Sequence, residues 1–489
     1  MNRVEKIKKL YSKMSWYKQG AAVRPFYIGY PWESCVAGFT VEGKQVNFNY
    51  MPFGVYLKNG FFDVYFPREN MERVADFYYS HEKRNPGFAV ALKKRWQKIE
   101  VANLRQIIRE IEHTDLGALS NKRLIALFKR FTSVYVSFWK EAIFLDAFDV
   151  MSDIILEKAL KKEKKQVKED DINLLISSEK FSWLQKEKEE LLKLAKQIKN
   201  QANLIEKLKT HAAAYHWIYN DYAVIRNLDW KFFLAEIKKL RKSKKLYQEE
   251  KHALDLVKNI AQRRRKLIKK LKLSPYFVMT VNFLVTLAGW RDWRKACNQM
   301  ANGALLKFTQ EFNRRTGFSK DEIEYLWWWE VPRIFQMKKQ DLKQALARRQ
   351  GLFSIGDLKR RDRVFLGKEA RELAQFMQRL LAGEKNLSGR PAFHGLVRGR
   401  VKIIRTQNDF YKMKKGDILV APNTRPEYVP IMKIAAAIIS VEGGLTCHSA
   451  IISRELKIPA IVGVQGAIAA LKDGDLVEVD ANKGIVKRL

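Results

Sequence analysis

The carboxyl-terminal hundred residues are written in short β-rich runs, VRGRVKIIR, GDILVAP, AAAIIS, IPAIVG and DLVEVDA, separated by glycine turns. Short apolar, β-branched runs bounded by glycine are strands. One stretch among them differs. At 443–454 the text GGLTCHSAIISR places a glycine pair, then Thr446, Cys447 and His448, ahead of an apolar helical run. The order is strand, glycine loop, helix. Gly443 and Gly444 permit the tight turn, Thr446 or Cys447 takes the N-cap position, and His448 falls in the first helical turn. There the unpaired backbone N–H groups and the positive end of the helix favour an anion, and the same field keeps an imidazole neutral and nucleophilic. A histidine so placed suits attack on phosphorus and retention of the phosphoryl product. Taken alone, a histidine in a first helical turn is more often a capping or surface residue.

The longer text carries the identification further. GGLTCHSAIISRELKIPAIVG resembles the signature of the swivelling phosphohistidine domain of PEP-utilising enzymes, the group that includes PEP synthase, pyruvate phosphate dikinase and rifampin phosphotransferase. GRPAFHGLVRGRVKII, GDILVAPNTRPEYVPIM and LKDGDLVEVDANKGIVKRL resemble that domain's flanking strands in the same order, so the likeness covers 386–489. The resemblance implies that His448 carries the phosphoryl group and that Gly443, Gly444, Thr446 and Cys447 form the phosphoryl loop. It places Arg454 and Glu455 in support of the domain, with Arg454 too far round the helix to touch the phosphate. His394 receives no role.

Upstream the composition changes. AGEKNLSGRP at 382–391 is a linker by its Gly, Ser, Asn and Pro content. From 97 to 381 the chain reads as long helices: Leu191, Leu194, Ile198, Ile205 and Leu208 recur at helical steps, with Gln201 breaking the stripe into a hairpin or bundle. The apolar run Pro275 to Trp290 is a buried helix, too short and too interrupted to span a membrane. Residues 1–96 are read as a small strand-containing region. The expected fold is therefore multidomain α+β: a small strand-containing N-terminal part, a large mainly α-helical domain, a linker and an α/β swivelling domain at 392–489.

Charge separates these parts. The chain carries +39, of which 16 Lys/Arg against 9 Asp/Glu put only +7 in 386–489, so the basic surface belongs to the helices. KKEKK at 161–165, KKLRKSKK at 238–245 and RRRKLIKKLK at 263–272 are the densest runs. They suit nucleic acid or an acidic partner, although no recognised nucleic-acid-binding motif accompanies them. Cys35, Cys297 and Cys447 lie far apart without CxxC spacing, which excludes a disulfide scaffold or zinc site, and with no signal peptide the chain fits a reducing cytoplasm.

A swivelling domain needs a donor site and an acceptor site. Neither an ATP-grasp domain nor a PEP-binding barrel is expected within this chain. The resemblance implies ATP, handled with magnesium by a separate ATP-grasp subunit, or PEP as donor, with no metal ligands here. The helical domain resembles the acceptor-binding region of rifampin phosphotransferase. Candidate acceptor residues for a small molecule, flat or anionic, are Trp290, Arg291, Trp293 and Arg294, and a second group of Trp328, Glu330 and Arg333 within WWWEVPR; tryptophans so spaced are equally core residues. A third cluster, His216, Asp221, Arg226 and Asp229, is equally compatible with packing. The expected activity is that of a basic, cytoplasmic phosphotransferase component, a kinase-like transferase incomplete without its partner. The alternative is an inactive scaffold that binds nucleic acid or an acidic protein through its basic helices.

Overall fold

A computed structural model describes residues 2–22, 26–27, 39–41, 44–46, 53–58, 61–163, 165–197, 201–220, 225–347, 351–356, 364–382, 387–424, 428–444 and 447–489. The chain divides into two compact units. One contains Met1–Ser80, Leu116–Ile154 and Thr309–Leu489; the other contains His81–Asp115 and Ile155–Phe308. The segment expected as one helical domain over 97–381 is thus shared between them.

In the first unit, β1 (Trp16–Ala22) joins a five-stranded antiparallel sheet, while β2 (Phe39–Val41) and β3 (Lys44–Val46) form a separate hairpin. The sheet continues with β4 (Phe53–Lys58) and β5 (Phe61–Pro67) and is completed by β6 (Leu352–Gly356) and β7 (Val364–Leu366), in the order β1-β5-β4-β6-β7. The amino-terminal region is therefore not self-contained, because two strands arrive from nearly three hundred residues downstream. Val4, Ile7 and Tyr11 of one helix and Ala370, Leu373, Ala374 and Met377 of another join Trp16, Tyr65, Phe353 and Phe365 in one apolar cluster. The strand pattern ends at Pro67. Beyond it, buried Met71, Val74, Ala75, Tyr78 and Tyr79 follow a helical repeat, and Arg68–Arg84 is a helix.

The carboxyl-terminal sheet has eight strands in the order β8-β15-β14-β10-β11-β12-β13-β9. They are β8 (Leu387–Ser388), β9 (Arg390–Phe393), β10 (Leu396–Ile403), β11 (Ile418–Ala421), β12 (Ala437–Ser440), β13 (Ala460–Val462), β14 (Leu476–Asp480) and β15 (Ile485–Arg488). Strands β10 to β13 run parallel. Side chains alternate across the sheet, so Ile418, Val420, Ile439 and Ile461 enter one core and Leu419, Ala421, Ile438 and Val462 enter the other. Both faces are covered along β11, β12 and β13, which is why these three strands carry no charged residue. Part of the expected linker 382–391 lies in this sheet as β8 and the start of β9; residues 383–386 fall outside the described ones.

The second unit is helical. Helices Trp183–Gln197 and Gln201–Tyr215 occupy the stretch expected as a hairpin or bundle, with Ile198 outside the described residues, and Leu191, Leu204, Leu208, Tyr215, Trp217 and Phe233 share one core. The apolar run beginning at Pro275 opens a 42-residue helix, Pro275–Thr316. Phe277, Val281, Leu284, Leu287 and Trp290 are buried in it, and among the described residues no helix is long and apolar enough to cross a membrane.

Candidate active site

Strand β12 ends at Ser440, the chain bends at 441–442, and helix His448–Leu456 begins after Cys447. The turn is fixed by backbone and side-chain contacts together. Val441 N–H donates to the Ala421 carbonyl at 3.0 Å and Glu442 N–H to the Pro422 carbonyl at 2.8 Å. The Gln465 amide donates to the Val441 carbonyl at 3.0 Å, and the Asn423 amide donates to the Glu442 carboxylate at 2.9 Å. Gly443 has φ +95, and a Cβ there would lie 2.6 Å from the Cys447 Cβ, so both conformation and space demand glycine.

Cys447 is the N-cap, with no hydrogen bond from its side chain to the helix. The first N–H groups of this helix are therefore left without the usual side-chain acceptor, an arrangement that receives an anion. His448 is the first helical residue; Thr446 and the His448 side chain lie outside the described residues. Behind the loop, buried Thr424 and Ser449 hydroxyls meet at 2.9 Å. Arg454 donates to the Ala392 carbonyl at 3.2 Å, tying the helix to β9, while Glu455 is exposed.

Residues that sequence reasoning did not single out complete this surroundings. Asp153, on helix Phe148–Lys162, is buried, and a Cβ at Gly444 would overlap its carboxylate. Arg390 Nε approaches the same carboxylate at 3.4 Å. Tyr17 of β1 is buried beside the loop, and burial first, then the charges of Glu442 and Asp146, hold its hydroxyl neutral well above the usual tyrosine range. The loop is thus docked against the amino-terminal part of the same unit. No local signal marks Asp153 or Tyr17, because their partners are hundreds of residues away.

The acceptor candidates fall in separate units. Trp290 is fully buried against Trp96, ring centres 5.5 Å apart, and Arg294 is also buried, so these two belong to a core. Arg291 and Trp293 are half-buried. In the first unit, Trp328 is buried and donates its indole N–H to the Phe26 carbonyl at 2.7 Å, Glu330 accepts from the Trp327 N–H, and Arg333 is exposed. His216 sits between Asn227 at 3.0 Å and Glu112 at 3.2 Å; Asp229 caps helix Trp230–Lys242; the Arg226 N–H donates to Asn220; and Asp221 lies outside the described residues. Among the described residues no group of three or more His, Cys, Asp or Glu is placed to hold a metal ion.

Residues 413–484 match the family model of the PEP-utilising enzyme mobile domain. A probable phosphoenolpyruvate synthase of Archaeoglobus fulgidus is 47% identical over 119 residues, which are 24% of this chain and 16% of that protein. The phosphoenolpyruvate synthase of Aeropyrum pernix is 50% identical over 105 residues, 21% of this chain and 13% of that protein. The chain therefore spans about one sixth or less of these relatives' length. Among solved structures, the aconitase X of Thermococcus kodakaraensis is 25% identical, covering 21% of this chain and 98% of that one, with a TM-score of 0.18.

Proposed function

We propose, from the premise that residues 413–484 are a mobile domain of the PEP-utilising enzymes, that His448 carries a phosphoryl group between a donor and an acceptor. A ring nitrogen of His448 attacks the donor phosphorus, and the bridging P–O bond breaks with its electron pair on the departing oxygen. In the second step an acceptor hydroxyl attacks the same phosphorus, the N–P bond breaks, and the hydroxyl proton passes to a base. The uncapped N-terminus of helix His448–Leu456, reached through the Gly443 turn, is the observation that carries this reading. It supplies fixed N–H donors where the charge accumulates.

The donor is ATP, delivered by a separate ATP-grasp subunit with its magnesium, or PEP. The acceptor binds the helical part of the chain, and the reaction takes place in the cytoplasm. Incubation of the purified protein with labelled ATP or PEP, with and without a candidate ATP-grasp protein, tests this directly. An acid-labile, alkali-stable adduct absent from His448→Ala is the expected result. Failure to form it with any donor or partner overturns the reading.

A second reading has one observation in its favour. Arg263, Arg265, Lys266, Lys269 and Lys270 are exposed on helix Lys244–Leu271, a face able to bind phosphate backbones without catalysis. Salt-sensitive co-purification of nucleic acid, together with no adduct at His448, would select it.

A further inference from the structure

In the second unit four helices bring together a group of cations that no carboxylate neutralises one for one. Trp183 begins helix Trp183–Gln197, and its ring meets that of Trp293 edge-on, with centres 5.0 Å apart and planes at 78°. The Arg105 guanidinium lies 5.4 Å from the Trp183 ring centre and 5.5 Å from that of Trp293. Lys186 Nζ lies 4.7 Å and 5.7 Å from the same two centres. Both cations are therefore held on one tryptophan pair, within reach of each other. Lys93 joins from helix Phe88–Trp96, its amine lodged beside Gly289, where an added Cβ would come within 3.1 Å of Nζ.

Among the described residues none of these three cations takes part in an ion pair within 4 Å. Asp292 is the nearby carboxylate, and it already accepts the Trp183 backbone N–H. Burial raises Asp292 to about 6 and, with the charge of Lys180, lowers Lys93 to about 8, so the group sits in a medium that penalises charge. The Trp183 indole N–H is also buried and has no acceptor among the described residues. Cation–π contact holds Arg105 and Lys186 but cannot relieve the mutual repulsion of the cations. A bound oxyanion would do so, and would offer acceptors to the guanidinium fork and the ammonium groups. All of Lys93, Arg105, Trp183, Lys186 and Trp293 are half-buried, so the cluster can be reached from solvent.

We propose that Arg105, Lys186 and Lys93, arrayed on the Trp183–Trp293 pair, bind a small organic oxyanion, a carboxylate or phosphate ester whose apolar body rests on the indoles. Its assignment as the acceptor, or as the phosphorylated product, rests on the function proposed above; the binding itself does not.

The test uses the full chain, titrated with benzoate, benzyl phosphate and inorganic phosphate and followed by tryptophan fluorescence and calorimetry. Saturable binding of benzoate or benzyl phosphate is expected, weakened about tenfold in an Arg105→Gln, Lys186→Gln double variant. A control with Lys269→Gln and Lys270→Gln removes the same charge from the exposed basic helix and should change affinity less than about twofold. Gly289→Ala, which crowds the Lys93 amine, should also weaken binding. Benzoate preferred over benzyl phosphate assigns a carboxylate ligand, and the reverse a phosphate ester. No saturable binding, binding of inorganic phosphate alone, or equal loss in the two double variants overturns the proposal. A His448 adduct without anion binding sinks this site and leaves the carrier function standing; anion binding without any adduct does the opposite.

Discussion

The carboxyl-terminal sheet and the helical second unit treat charge in opposite ways. Strands β11, β12 and β13, reading ILVA, AIIS and AIV, are buried throughout and contain no charged residue. The helical unit buries Arg264, Glu187, His211 and Arg294 among its aromatic side chains. In the first region the feature that matters is made by backbone, through a glycine turn and a helix end. In the second it is made by side chains drawn from helices far apart in sequence.

That contrast can be tested, starting with the largest effect. Ile439→Ala at the centre of β12 should destabilise the protein by about 2–5 kcal/mol in urea unfolding, since both the methylenes and the space they fill are lost. A cost below about 1 kcal/mol would mean that this strand is not held by packing. In the helical unit, Glu179→Ala removes a carboxylate 3.0 Å from buried Arg264 and leaves its guanidinium with Asn282. A loss of about 1–3 kcal/mol is expected. No loss would show that solvent compensates Arg264, and would narrow the difference between the regions.

The third test varies pH. Asp292 releases its proton near 3.8 when unfolded and at about 6 when folded, so between those values the folded state holds the extra proton and stability falls as pH rises. Asp292→Asn should therefore match the parent near pH 3.8 and exceed it above pH 6. Lys93 behaves inversely. Its proton leaves at about 8 when folded and 10.5 when unfolded, so stability rises with pH across that window, and Lys93→Met should be the more stable protein below pH 8. Denaturation midpoints from pH 4 to 10.5 check both signs.

The smallest effects concern helix ends. Asp229 accepts the Phe232 N–H at 3.1 Å, so Asp229→Ala should cost about 1 kcal/mol. Cys447 makes no such bond, and Cys447→Ala should change stability by only about 0.5 kcal/mol or less. A large loss at Cys447 would indicate that the loop depends on side chains after all.

The same contrast explains what could be read from the sequence. The strands of the carboxyl-terminal sheet are legible because burial on both faces forces unbroken apolar runs, and the turn is legible because only glycine fits Gly443. Trp293 could be singled out as a flat residue beside arginines, but its partners Trp183, Lys186 and Arg105 could not, since helical periodicity says nothing about which helices meet. Trp290 has the same appearance in the text and is core. Completion of the amino-terminal sheet by β6 and β7 was equally hidden, because pairing between distant strands leaves no local pattern. Asp153 lies 291 positions before Gly444, and neither announces the other.

The contact between Gly444 and buried Asp153 has a mechanical consequence. A methyl group at Gly444 finds no room against the Asp153 carboxylate, so Gly444→Ala has to push the loop off helix Phe148–Lys162 or displace the Arg390–Asp153 contact. The stability it loses in unfolding would therefore measure how firmly the loop is held there.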